Sequence, residues 1–310
     1  MKIDDYVAAG KIAAEVRENA RKKDWVGTSL FEICSDVENE IVKRGGKCAF
    51  PVNASLNEIA AHYTAEPNDQ KTISDTDLVK IDLGVQINGY IADTAVTVCY
   101  DPQYDTLVQA AEDALKSAMS IIKTGIKASD VGRTIEKTVK QFGCKPIINL
   151  SGHSLGQYTI HAGKSIPNVW SIGSFSLSDS EAYACEPFVT TDKGLGFVRN
   201  DKTKNIFALV SRKKTKNDEA NKLAEYIWTN FNMLPFALRW IVKDWSEQKA
   251  RELLDVLIKR KVVHVYPVLV EASGQRVAQA EHTFIPTEKG YTWEFLCSYS
   301  LQSIPSWTLW

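Results

Sequence analysis

The sequence predicts an α+β protein in which one structural unit occurs twice. Three observations carry this. The order helix, helix, strand occurs once before residue 100 and again after it. The same short pattern, C-x4-N-x-S, follows the second helix of each repeat, offset by 96 positions. Before the pattern restarts, Asn88-Gly89 joins two strand-like runs, a strong signal for an antiparallel hairpin.

Residues 5–22 place Val7, Ala8, Ile12, Val16 and Ala20 at helical intervals. A second helix begins at Ser29, where Ser29 and Glu32 have capping-box spacing, and stops at Gly45-Gly46. "LVKIDLGV" and "YIADTAVTV" read as the two strands of the hairpin. After Asp101-Pro102 the pattern restarts. Helix 103–123 carries Leu107, Ala111, Leu115, Ala118 and Ile122, and helix 129–142 carries Val131, Ile135, Val139 and Phe142. "CAFPVNAS" (48–55) and "CKPIINLS" (144–151) supply the repeated pattern, a match short enough to arise by chance. If it is a true repeat, two halves face each other across a shared cleft.

From 197 to 265 the character changes. The basic run "RKKTK" (212–216) leads into helical segments 217–231, 235–245 and 247–260, which read as an all-helical insertion. Strands resume with "VYPVLVEA" and "RVAQAEHTFIP". The expected division is a main domain at 1–196, the insertion at 197–265, the last strands of the main domain at 266–290, and an atypical tail at 291–310. In that tail Trp293, Phe295, Trp307 and Trp310 follow no period, and its end is expected to be poorly ordered and dispensable for catalysis.

Composition narrows the class. Apolar residues make up 44% of the 310, charged residues 24%, and the net charge is −1, an ordinary globular profile without the basic excess that points to nucleic acid. The first residues lack the apolar core of a secretion signal, and no run approaches the ~18 apolar residues of a membrane span. The six cysteines, Cys34, Cys48, Cys99, Cys144, Cys185 and Cys297, form no CxxC pair. They read as reduced thiols of a cytoplasmic protein, and neither a disulfide frame nor a zinc cluster follows from them.

The chemistry lies in the acids and histidines. With Asn88-Gly89 as the loop, Asp82 falls opposite Ala95, and Asp93 lies two residues nearer the turn on the same face. The two are diagonal neighbours with α-carbons about 7–8 Å apart. The other face carries Val79, Ile81, Leu83, Val85, Val96 and Val98. Acids on a polar sheet face can simply be solvated. Glu186 in "AYACEPF" and Glu281 in "VAQAEHTF" are harder to dismiss, because both sit within apolar runs where a carboxylate is costly unless paired or metal-bound. Four converging carboxylates would raise one another's pKa, and two divalent ions about 3.5–4 Å apart would cancel their charge.

"NLSGHSLGQYTIHAGK" (149–164) holds His153 and His161, two of five histidines. They fit a metal site or two unrelated polar residues of a surface hairpin. In one straight strand they would lie about 26 Å apart and could not share an ion. Either the chain bends at Gly152 and Gly156, or the two have different tasks. The second reading is preferred, together with the bend: one histidine is a ligand and the other reaches a substrate.

These segments together resemble methionine aminopeptidases of the type II subfamily, with the pita-bread fold, over roughly residues 4 to 288. "NEIAAHYT" is similar to the family's first catalytic-histidine segment, "KIDLG" and "IADTAVT" to its aspartate segments, "NLSGHSLGQYTIHAGK" to its histidine-ligand segment, and "YACEPF" and "AQAEHT" to its glutamate segments. The resemblance implies removal of the initiator methionine from nascent chains when the second residue is small. It implies two divalent ions (Co, Mn, Fe or Zn) held by Asp82, Asp93, His153, Glu186 and Glu281, with Glu186 also the general base. His62 and His161 would hold the substrate carbonyl and stabilise the tetrahedral intermediate. Phe50, Ile160 and Phe188 would line the methionine pocket.

The sequence departs from the family in three places. Ala280 stands where an aromatic usually precedes Glu281, which predicts a looser site floor. No histidine occurs around "NIFALV", where some relatives carry one near the substrate. The tail after Gly290 is unlike a short terminal strand. The chain begins at the catalytic domain without a charged extension, which is the archaeal pattern, and it is expected to be monomeric. "RKKTK" either touches ribosomal RNA or is solvated. His264 and His282 match no role and read as structural or surface residues. A peptidase of the same fold acting on X-Pro bonds, or a non-catalytic member lacking metal ligands, would be the alternatives. The insertion disfavours the first and the intact ligand positions the second.

Overall fold

The computed structural model describes residues 2–242 and 244–292. The first repeat contains α1 (Ile3–Lys22), α2 (Leu30–Lys43), β1 (Lys47–Leu56), β2 (Ile59–Ala61), β3 (Leu78–Ile87) and β4 (Tyr90–Cys99). The second opens with a 3-10 turn (Pro102–Tyr104) and continues through α3 (Asp105–Ile121), α4 (Ala128–Gln141), β5 (Lys145–Pro146), β6 (Ser151–Leu155), β7 (Ser165–Pro167), β8 (Ala182–Cys185) and β9 (Phe188–Thr190). Then come β10 (Val198–Leu209), α5 (Asp218–Phe231), β11 (Pro235–Ala237), α6 (Leu238–Ile241), α7 (Glu247–Lys259) and β12 (Val263–Glu271). The described part closes with β13 (Val277–Gln279), β14 (Glu281–Phe284), β15 (Pro286–Thr287) and β16 (Gly290–Tyr291).

Local chemistry sets the ends of these elements. The Ser29 hydroxyl accepts from the Glu32 backbone N–H, and the Glu32 carboxylate accepts from that of Ser29. Such an N-cap contributes about 1 kcal/mol. At the hairpin, Asn88 and Gly89 both take left-handed backbone, with φ of 51° and 85°. The register follows: Asp82 faces Ala95, and Asp93 faces Gly84. The apolar face of the hairpin, from Val79 to Val85 with Val96, packs against Ala9, Ala13 and Val16 of α1 and Ile33 and Val37 of α2. Helices α3 and α4 form the matching layer of the second repeat, burying Ala111, Ala114, Val131 and Ile135 with Tyr183 and Cys185. Each helix pair thus backs its own strands.

A seven-stranded sheet runs β1-β3-β4-β14-β8-β6-β7. Strand β14 comes from the far C-terminal side and closes the seam between the repeats, pairing with β4 on one edge and β8 on the other. This seam brings Glu281 beside the aspartates.

The region 197–265 is not all-helical. Strand β10 opens it and pairs along its length with β12, while β11 adds to the other edge of β10. The segment read as helix 235–245 starts as β11 and becomes helical only over Leu238–Ile241. Residues 199–204 are polar and largely exposed, so β10 lacks the alternation that marks a strand, and its pairing with β12 defines it. Three helices are present, and α5 and α7 pack Leu223, Ile227, Leu253 and Leu257 into one core with Phe207 and Phe236 from the strands. In the basic run, Arg212 lies 4.5 Å from the Trp228 ring centre and pairs with Glu225 at 3.2 Å.

Five cysteines of the described residues are free thiols, and Cys297 lies outside them. Among the described residues no helix is long and apolar enough to cross a membrane. Tyr291 pairs with Pro286 in the last small hairpin. Trp293, Phe295, Trp307 and Trp310, and with them the expectation about the end of the tail, lie outside the described residues.

The chain does not bend at Gly152. That residue lies inside β6, where a Cβ would come within 2.2 Å of the Ala184 carbonyl oxygen on β8. Close approach of backbones requires glycine there, and the turn comes at Gly156, which bridges Thr159. Gly152→Ala is therefore expected to separate β6 from β8 and destabilise the protein by about 1–3 kcal/mol. A thermal melt of the metal-free variant that matches the unsubstituted protein would contradict this account of the strand contact.

Candidate metal centre

The front faces of the two repeats enclose a cavity of about 340 Å³. All ten residues singled out from the sequence line it: Asp82, Asp93, His153, Glu186 and Glu281, His62 and His161, and Phe50, Ile160 and Phe188. Strand register explains the convergence. Ala95 of β4 faces Asp82 of β3 on one side and Glu281 of β14 on the other, so two acids flank a small residue on one rung. His153 pairs with Ala184 across β6 and β8, and Glu186 follows β8 directly.

The chain fixes the backbone of these acids twice. The Asp93 N–H donates to Thr283 Oγ1 at 2.7 Å, and that hydroxyl donates back to the Asp93 carbonyl at 2.8 Å. Thr94 Oγ1 donates to the Glu281 carbonyl at 2.7 Å and accepts from the buried Arg17 guanidinium at 2.9 Å. His282, placed on the helix side of the sheet, is buried with its Nδ1 3.4 Å from Arg17, which gives it the structural setting expected from the sequence. His264 is exposed, with its ring 4.8 Å from that of Tyr266.

The acids and the imidazole are packed tightly. One donor atom each from Asp93, His153 and Glu281 lie within 4.8 Å of one another. His153 Nε2 is 3.5 Å from Asp93 Oδ2 and 3.6 Å from Glu186 Oε1. Burial pushes the Asp82 carboxyl up to about 7. Asp93, Glu186 and Glu281 are held well above the usual carboxylate range, first by burial and then by neighbouring acids. Burial and the neighbouring His161 push His153 down to about 3, which leaves it a neutral lone-pair donor. Among the described residues lining the cavity, the one fixed positive charge is Lys164, and Glu181 occupies it at 2.6 Å.

Gln279 donates to Glu281 at 3.1 Å, but among the described residues lining the cavity no unpaired cation compensates these acids, and two of their oxygens show it. Asp82 Oδ1 and Asp93 Oδ1 are shut off from solvent without a hydrogen-bond donor. A buried carboxylate oxygen left this way is costly, whereas a divalent cation satisfies it. Four carboxylates with one neutral imidazole form a donor set suited to divalent ions such as Mn, Fe, Co or Zn. The residues fit a divalent metal.

The remaining walls divide by character. Phe50 and Ile160 pack together on one side, and Phe188 belongs to a cluster with Ala61 and Val198 on another. His161 stands beside the acid cluster, its ring centre 4.6 Å from that of His153. The chain between them turns back through Gly156 and Thr159, which removes the separation of a straight strand. His62 Nδ1 lies 3.2 Å from the Pro267 carbonyl, which can only accept, so Nδ1 carries the proton. Burial pushes this imidazole down to about 4.

Sequence reasoning missed part of the wall. Ile206, Pro235 and Tyr266 line the cavity from β10, β11 and β12. The Tyr266 ring centre lies 5.6 Å from that of His62 and 6.0 Å from that of His161. The alternation of Tyr266, Val268 and Val270 was the available signal. The expected looser floor at Ala280 is also corrected. Its neighbour Glu281 points into the cavity, so Ala280 points the other way, into the core of α3 and α4.

Comparison with known proteins agrees with this architecture. The pattern of Metallopeptidase family M24 matches residues 4–205. A methionine aminopeptidase from Methanocaldococcus jannaschii is 42% identical over 94% of this chain and 98% of its own length. One from Pyrococcus horikoshii is 41% identical over 94% and 99%. Among solved structures, a thermophilic Arx1 superposes with a TM-score of 0.81 at 17% identity, covering 94% of this chain and 89% of that one. A methionine aminopeptidase from Thermotoga maritima superposes with 0.67 at 23%, covering 94% and 95%. These two likenesses establish the pita-bread fold. The chain belongs to Metallopeptidase family M24 and, within it, to the methionine aminopeptidases of archaeal type.

Proposed function

We propose that this chain hydrolyses the first peptide bond of polypeptides beginning with methionine and a small second residue, as expected for new chains that retain their initiator. The observation that carries the reading is the uncompensated group Asp82, Asp93, His153, Glu186 and Glu281 on the floor of a cavity walled by Phe50, Ile160 and Phe188. These five side chains would hold two divalent ions. When bound, such ions neutralise the carboxylates, acidify a water and polarise a carbonyl.

The chain's own groups supply the rest. The apolar wall accepts an unbranched thioether side chain. Glu186, at the edge of the acid cluster, takes a proton from the attacking water and returns it to the departing amine as the C–N bond breaks, releasing methionine and a shortened peptide. His62 stays neutral and has its Nδ1 proton committed to Pro267. Its free Nε2 is thus an acceptor, suited to the N–H of the scissile amide more than to its carbonyl. His161 remains to donate to the carbonyl oxygen as negative charge develops there.

Three measurements test this reading. With added Mn or Co, Met-Gly peptides should be cleaved and Gly-Pro peptides left intact; the reverse preference would identify an X-Pro peptidase. His161→Ala is expected to keep its metal by elemental analysis while losing about 10²–10³ in turnover. His153→Ala should lose metal, and the opposite pattern would exchange the two roles.

The third is pH dependence. Folded, metal-free Asp82 keeps its proton to about pH 7, whereas an unfolded aspartate loses it near 4. Its contribution to metal-free stability is therefore present below about pH 4 and lost as the pH rises through about 7. Metal binds the ionised form, so the rise in Tm produced by Mn should grow between about pH 5 and pH 8. An increment independent of pH would show that these acids do not bind the ion.

A further inference from the structure

His62 directly follows β2 in left-handed backbone, with φ of 65°. A residue with a Cβ adopts that region at a cost and keeps it only where its surroundings impose it. On the N-terminal side the imposition is the pairing of Ala61 with Leu269 and the contact of His62 with Pro267. On the C-terminal side it comes largely from the segment 197–265.

Thr64, two residues on, is completely buried. Its carbonyl accepts from the Asn205 side-chain amide of β10. Its hydroxyl accepts from Arg239 of α6 at 2.5 Å and donates to the Val52 carbonyl at 2.7 Å. Arg239 also donates to the Ala65 carbonyl at 3.1 Å and forms a buried ion pair with Glu38 of α2. Glu38 accepts in turn from the Trp240 indole at 2.9 Å and the Val52 N–H at 3.1 Å. Between them, Tyr63 is pinned by the Ala54 N–H, which donates to its carbonyl at 2.8 Å.

A buried ion pair is a poor source of stability, since apolar residues of similar volume often do as well. What this one provides is position. Glu38 holds Arg239, and Arg239 gives hydrogen bonds to Thr64 and Ala65 in the segment that follows His62.

We propose that Asn205 and Arg239, the latter oriented by Glu38, are positioning residues for His62, and that the segment 197–265 serves catalysis by holding that histidine in its left-handed conformation. This rests on the reading of His62 as a group that touches the substrate. Misplacing such a group by an ångström costs on the order of 10²-fold. The segment therefore acts twice on one site, giving Ile206 and Pro235 to the wall and Asn205 and Arg239 to the clamp.

The test uses the full, metal-loaded chain on a Met-Gly peptide. Arg239→Met and Asn205→Ala are each expected to lower kcat by about 10–100-fold, with KM and bound metal nearly unchanged. Arg239→Lys should recover part of the loss. In a His62→Ala background neither substitution should lower kcat further, because the group they position is gone. Leu253→Ala, in the core of α5 and α7, serves as the control: a lower Tm with unaltered kcat. Should Arg239→Met fail to fold, Asn205→Ala, which removes one hydrogen bond, carries the test alone. Losses that multiply with His62→Ala, or variants that lower Tm and leave kcat intact, would overturn the proposal. Wild-type turnover by His62→Ala itself would overturn the assignment of His62, and the proposal with it.

Discussion

Charge in a poorly solvated cavity has to be compensated, and most of this fold can be understood from that constraint. Asp82, Asp93, Glu186 and Glu281 share a space in which the one lysine among the described lining residues is already paired. Ionised together, they would repel strongly in a medium that screens little. Loops could relieve such strain by moving apart. Strands cannot, and three of the four acids lie on β3, β4 and β14, adjacent strands of one sheet. Ala95, between Asp82 and Glu281, leaves the space between them free of side chains. The helices behind the sheet stiffen it with tightly buried alanine, valine and isoleucine. A rigid excess of negative charge selects small, highly charged cations.

The parts of this arrangement legible in the sequence are those governed by local rules. Asn88-Gly89 fixed the register of one hairpin, and the register put two aspartates on the face opposite a row of valines and leucines. Ser29 and Glu32 announced a helix start, and both hydrogen bonds of the capping box are present there. Glu186 and Glu281 drew notice through their apolar neighbours. In each case the informative residues lie within a few positions of one another.

The rest depends on partners distant in sequence. Strand β10 begins with a polar, exposed stretch and exists because β12, some sixty residues on, pairs with it. Without that pairing the segment reads as a loop leading into helices, and Ile206, Pro235 and Tyr266 are lost from the wall. Of the bend expected at Gly152 and Gly156, only the Gly156 part is present, since Gly152 is required for close packing against Ala184. The positive φ of His62 leaves no mark at all in the sequence, because histidine does not advertise it as glycine would.

The missed wall residues and the backbone of His62 share a location, the sheet in which β2 joins β10, β11 and β12. The repeats alone would place the acids, since β3, β4, β8 and β14 belong to one sheet. They would not place His62, because β2 leaves that sheet and joins the one formed by β10, β11 and β12. The cavity is therefore a junction of two sheets with different duties. One holds charge at fixed spacing, and the other brings Tyr266 and His62 to face it. A second sheet can change its strands and loops without disturbing the rungs that carry the acids, so the wall it supplies can vary while the acids stay fixed.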